Sequence, residues 1–252
     1  MSVFNKLYIR VARAETPVFR LAKRILRTLF NPTLPALPRA LIAPLRLIYE
    51  VHFAVITVFR GLRVLLYCNP LFQARCAAFG SSVKIEGLPY VNGPVEIHIG
   101  DDVRMGGGVN ILSSGLLDAP QFILKDRSAV GWNTTISVSR EVLIEEDVIV
   151  SYDCHISDGD GHPREADRRA AGKAPAPEDV RPVRICRYAW IGNGSYVMKG
   201  VTIGEGAVIS ANSVVISNIP PYSLAMGNPA EILMKNYGRP RKVSANPVVK
   251  RP

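Results

Sequence analysis

The residues best suited to chemistry lie in one short run, His155-Ile-Ser-Asp158-Gly-Asp160-Gly-His162-Pro163. An imidazole titrates near neutral pH. It can take a proton from a poorly nucleophilic hydroxyl and hand it on to a leaving group. A neighbouring carboxylate can fix the ring's tautomer and stabilise the imidazolium that forms. This run supplies two imidazoles and two carboxylates, and spacing alone does not pair them. Asn133, in Gly-Trp-Asn, adds an amide that would serve either an acceptor pocket or a turn. Cys68, Cys76, Cys154 and Cys186 form no C-x-x-C pair, so neither a zinc ribbon nor a disulfide scaffold is indicated.

The elements that must hold this run announce themselves through a repeat. Ile185, Ile191, Val197, Ile203, Ile209 and Val215 recur every six positions, and Ala189, Ser195, Val201, Ala207, Ser213 and Ile219 follow each by four. A helix calls for spacings of three and four, and a half-buried strand for two. A strict six fits a β-solenoid, in which each hexapeptide makes one short strand and one turn and three make a coil. The same beat runs upstream out of phase: Ile99, Met105, Ile111 and Leu117, then Leu124, Val130, Ile136 and Val142, then Ile144, Val150 and Ile156. Gly161–Pro182 holds no hexad and four prolines, which predicts a loop thrown out of the coil.

The stretch Trp190–Ala230, WIGNGSYVMKGVTIGEGAVISANSVVISNIPPYSLAMGNPA, resembles the hexapeptide-repeat acyltransferases. Its marks are the W-I-G opening, K-G-V-T-I-G, the I-P-P-Y-S bend and the closing G-N-P-A. It is most similar to the branch of galactoside and maltose acetyltransferases and of bacterial surface-polysaccharide O-acetyltransferases. The likeness covers roughly residues 81–234, and it specifies fold and donor more closely than acceptor. It implies a mainly β chain, a left-handed parallel β-helix assembled as a homotrimer with active sites between neighbouring helices. It also implies acetyl-CoA as the acyl donor, with no metal.

Residue by residue, the resemblance makes His162 the base, since His162-Pro163 stands where the family's His-Pro sits. It favours Asp160 over Asp158 as the orienting acid. Trp190, Gly192, Asn193 and Ala211 would line the pantetheine arm, with the adenine end near Ile216 and Pro220-Pro221. Where relatives place basic residues after G-N-P-A, this chain has Glu231 and Met234, so Lys235, Arg239, Arg241 or Lys242 would meet the CoA phosphates. His155, at a position turned toward the cleft, would either assist at the acceptor or be plainly solvated. Two other patterns compete. His162 to Asp167 spells the H-x-x-x-x-D of glycerolipid acyltransferases, which lie on an α/β fold. His98, His155 and His162 could ligate zinc, but their spacing does not resemble that of hexapeptide-repeat carbonic anhydrases.

Charge divides the chain. Residues 1–80 hold 12 of the 31 Lys/Arg and two of the 21 Asp/Glu, so they carry the whole net charge of +10. The remainder is balanced, and a boundary near Gly80 follows, with a body over 81–234 and a basic tail over 235–252. Val18, Leu21, Ile25 and Leu29 form one helical stripe, with Arg20, Lys23, Arg24 and Arg27 opposite; Asn31-Pro32 ends that helix. Leu41–Tyr67 is apolar but broken by Arg46, Glu50, His52, Arg60 and Arg63. Basic amphipathic helices of this kind suit an anionic membrane surface, or else packing on the body or on a protein. No secretory signal and no disulfide pattern lead us to expect a cytoplasmic protein, peripheral on the inner face of the membrane, with a carbohydrate acceptor and no nucleic acid. The function expected is O-acetylation of a sugar hydroxyl on a surface polysaccharide or its lipid-linked precursor. The alternatives are N-acetylation of an amino-sugar nucleotide and a non-catalytic trimeric scaffold.

Overall fold

The computed structural model describes residues 2–31 and 36–239. The chain separates into two units, residues 1–58 and 59–252. In the first unit, helix α1 (Val3–Arg13) is capped by the Ser2 hydroxyl, which accepts from the Asn5 N–H at 3.3 Å. Helix α2 (Pro17–Phe30) has Thr16 as its cap and Pro17 in its first turn, where a missing N–H costs nothing. Between them Ala14 takes a left-handed turn at φ 52°, and Lys23 of α2 donates to the Ala12 carbonyl at 2.5 Å. Both helices are amphipathic, and neither buries a residue. Helix α3 (Arg39–Arg63) continues without a break into a wider π-type turn and α4 (Asn69–Arg75). This run of 37 residues is long and apolar enough to cross a membrane by length and composition, although charges interrupt it.

The second unit is a β-helix of three parallel sheets that each take one short strand from every coil. The first face stacks Ala78–Phe79, Glu96–Ile99, Gln121–Leu124, Glu141–Ile144, Val183–Ile185 and Thr202–Ile203, so six coils begin there. The inward residues pair in register down each face. On the second, Ile85, Met105, Val130, Val150, Ile191, Ile209 and Ala225 form one column. On the third, Val91, Ile111, Ile136, Ile156, Val197 and Val215 form another. Nearly all of these side chains are fully buried. Each stacks on its equivalents above and below, which is why the sequence must repeat.

The phase breaks have a structural cause. On the first face the three strands from Glu96 to Ile144 are four residues long, and each buries two alternate side chains: Ile97 and Ile99, Phe122 and Leu124, Val142 and Ile144. Two extra residues per coil displace the beat. Leu117, which continues the count on paper, lies instead in an insertion after Asn110–Leu112 and is only half-buried. The segment 161–182 leaves the coil after His155–Ser157, makes helix α5 (Ala166–Ala170) and a 3-10 turn at Pro177–Asp179, and returns at Val183.

Both ends of the stack are closed. Cys68 and Phe72 are buried against the first coil, and the Phe72 ring meets Phe79 edge-on at 6.0 Å. The cap therefore comes from residues that charge alone grouped with the basic segment. At the other end the strands Ser223–Gly227 and Ala230–Lys235 form an antiparallel hairpin around G-N-P-A.

Candidate active site

His155 stands on the third face, one residue before the inward Ile156, and so points out of the coil. Its cross-strand neighbours are Thr135 and Tyr196. The His155 and Tyr196 rings lie 5.4 Å apart, tilted by 32°. Burial lowers the His155 pKa, because the charged form loses its solvent. The chain then leaves the strand through Gly159-Asp160-Gly161, where Gly161 takes φ 76°. Pro163 is buried and anchors the exit, while His162 is exposed beside it. His155, Asp160 and His162 line one cleft of about 670 Å³, rimmed by Ser113, Ser139 and Tyr196.

The two acids do different work. Asp158 is fully buried, and its carboxylate accepts from the backbone N–H groups of Ser139, Arg140 and Glu141 at 2.7, 2.6 and 2.8 Å. Burial pushes its pKa up, and those three donors pull it down. Its carbonyl accepts from Arg181 N–H at 2.9 Å, so it ties the corner before Glu141 to the returning end of the 161–182 loop. The resemblance offered Asp158 as a second choice to orient the imidazole; the geometry gives its oxygens to the backbone corner. Asp160 contacts the Lys199 ammonium, with Arg164 Nε at 3.9 Å. Among the described residues, no hydrogen bond joins either acid to His162.

The residues expected to meet the donor lie elsewhere on the chain. Trp190 and Asn193 line a second concavity of about 570 Å³ on the second face, shared with Trp132 and Tyr152. The Trp190 indole N–H donates to the Ser151 hydroxyl at 3.0 Å. Gly192 and Ala211 meet at the corner between the second and third faces. There a Cβ on Gly192 would lie 2.6 Å from the Ala211 nitrogen, so only glycine lets adjacent coils approach this closely. Ile216 is exposed just beyond the third face, and Lys235 ends the C-terminal hairpin. Arg241 and Lys242 lie outside the described residues. Asn133 takes the turn: it has φ 57°, and its amide donates to Asp153 at 3.2 Å.

Sequence reasoning missed Tyr196 and Lys199. Tyr196 was findable, since it precedes Val197 in the slot that His155 occupies before Ile156, but the long loop hides that register. Lys199 was hidden inside K-G-V, where it counted only as part of the repeat. His98 belongs to the first face, with Glu96 at 3.8 Å, whereas His155 is on the third. The β-helix also removes the H-x-x-x-x-D reading, which needs an α/β fold.

Residues 182–217 match the family model described as bacterial transferase hexapeptide (six repeats). A Staphylococcus aureus protein named "Putative acetyltransferase SACOL2570" is 50% identical over 58 residues, 23% of this chain and 29% of that one. The Saccharomyces cerevisiae "Putative acetyltransferase YJL218W" is 37% identical over 103 residues, 41% of this chain and 50% of that one. The chain therefore spans half or less of these curated relatives. The N-acyltransferase AntD of Bacillus cereus, crystallised with dTDP and 3-hydroxybutyryl-CoA, superposes with a TM-score of 0.54 at 15% identity, over 68% of this chain and 88% of AntD. At that identity the likeness is one of fold, and the three-sheet stack is that of the left-handed β-helix.

Proposed function

We propose, from the premise that the chain carries a hexapeptide-repeat transferase domain, that it moves an acetyl group from acetyl-CoA to a sugar hydroxyl, with His162 as the base. The observation that carries this is the cleft itself: an exposed imidazole beside an outward aromatic and hydroxyl rim, on a β-helix of the acyltransferase kind. His162 takes the acceptor hydroxyl's proton as the oxygen attacks the thioester carbonyl. The tetrahedral adduct collapses, the C–S bond breaks, and the imidazolium returns the proton to the departing thiolate. Hydroxyls at Ser113 and Ser139, with the Tyr196 ring, suit a neutral sugar held by hydrogen bonds and stacking.

The donor residues and the base sit on different faces of one chain. A homotrimer, in which the second face of one copy closes the third-face cleft of the next, brings them together. The +10 of residues 1–80, with the amphipathic α1 and α2, supports docking on the anionic inner face of the cytoplasmic membrane, where lipid-linked precursors of surface polysaccharide are made. His162→Ala should lower acetyl transfer by about a hundredfold or more, the typical worth of a positioned base. Acetyl-CoA binding by calorimetry should persist. If His162→Ala keeps most of the activity on an accepted sugar, this mechanism is wrong.

A further inference from the structure

Lys199 lies in the turn after Tyr196–Val197, and its side chain is only 8% exposed. Its ammonium contacts the Asp160 carboxylate, which is 33% exposed and belongs to the turn carrying His162. Burying an ammonium is costly even when it is paired, and hydrophobic replacement of a buried pair is often neutral or stabilising. Stability alone is thus a poor reason for a lysine here. The other charged groups around this turn are few. Arg164 sits 3.9 Å from Asp160 and 3.0 Å from Asp179. Arg181 packs beside Gly200, Asp158 is held by backbone amides, and half-buried His155 shares the cleft.

We infer that Lys199 is a positioning residue for acyl transfer: it neutralises Asp160, which lines the cleft with His162, and pins the Gly159–Gly161 turn that leads to that imidazole. The inference rests on the reading of His162 given above. A carboxylate two residues from an imidazole, lining the same cleft, favours the imidazolium when nothing offsets its charge. An imidazolium cannot take the acceptor's proton. With Lys199 in place, that carboxylate is already compensated from the next coil.

The chain has four histidines, His52, His98, His155 and His162, so ring-labelled protein gives four titrations that single substitutions can assign. NMR of the full chain should show the His162 pKa rising by about half a unit or more in Lys199→Met, enough to cut its neutral fraction about threefold on the low-pH side. Asp160→Asn should move it the other way, because the ammonium is then unopposed. The double variant Asp160→Asn/Lys199→Met should return it toward the parent value. CoA release from acetyl-CoA, with methyl galactoside as the hydroxyl probe, should fall in Lys199→Met near pH 7 and recover at higher pH. A loss equal at every pH would mark a merely structural lysine. Should Lys199→Met fail to fold, the downward shift in Asp160→Asn still decides. An unmoved His162 titration in the folded variants overturns this inference alone. Activity surviving His162→Ala overturns the reading on which it stands.

Discussion

Asp158→Ala should cost the protein its stability before it costs any chemistry. The substitution removes one carboxylate and leaves three N–H donors, those of Ser139, Arg140 and Glu141, without their acceptor. A buried donor stranded in this way costs about 1–3 kcal/mol. Arg140 is exposed and Ser139 and Glu141 are half-buried, so water reaches part of the corner and the lower end applies. Three donors at that end give about 3 kcal/mol, and for a domain of this size each kcal/mol lowers the melting midpoint by about 2–4 °C. A drop of about 6–12 °C should appear in circular-dichroism melts at fixed scan rate. Asp158→Asn should cost less than Asp158→Ala, because the amide oxygen can take the Oδ2 place and keep Arg140 and Glu141, leaving its NH2 against the single Ser139 donor. Below both midpoints, acetyl transfer by Asp158→Ala should stay within a few-fold of the parent. A variant that melts within 2 °C of the parent yet loses transfer would refute this account and return Asp158 to the catalytic machinery.

Burial lowers the His155 pKa, so folding favours its neutral form. That contribution is present above the ordinary histidine range and is lost as pH falls through the depressed value. The parent should therefore lose more stability than His155→Gln between pH 7 and 5, read as denaturation midpoints; parallel slopes would contradict it. The full chain should co-sediment with liposomes containing anionic lipid and do so less as salt rises, since each basic residue near such a surface contributes about 1 kcal/mol. Equal recovery in the supernatant with and without anionic lipid would leave α1 and α2 as protein contacts.

The six-residue beat made the fold legible because a stacked coil permits little else. Ile191 must lie over Val150 and under Ile209, so an aliphatic recurs wherever the chain completes a face. Where a coil takes 20 residues the beat slips, as between Leu124 and Ile144, yet each run stays readable within itself. The cap was less legible. Phe72 belongs to the core by its contact with Phe79, but its neighbours in sequence share the composition of the exposed α3. Composition records the average surroundings of a segment, whereas a cap is defined by its single inward residue.

The site was legible in residue type and not in pairing. Periodicity places His155 outward, because Ile156 points inward, and the run of polar residues behind it marks where chemistry belongs. It cannot say that Asp158, two residues after Ile156, turns inward to hold the next corner while Asp160 turns toward Lys199. Those partners lie 17 to 19 and 39 residues away in sequence, separations set by coil length and by the loop after His162. A carboxylate in a β-helix finds its partner one coil above or below. Its work is therefore decided by the register between coils, and the 161–182 excursion is the feature that hides that register here. The same reasoning explains the overlooked Lys199. Inside K-G-V-T-I-G it reads as a repeat residue, and only stacking shows that its slot, one coil later, meets Asp160.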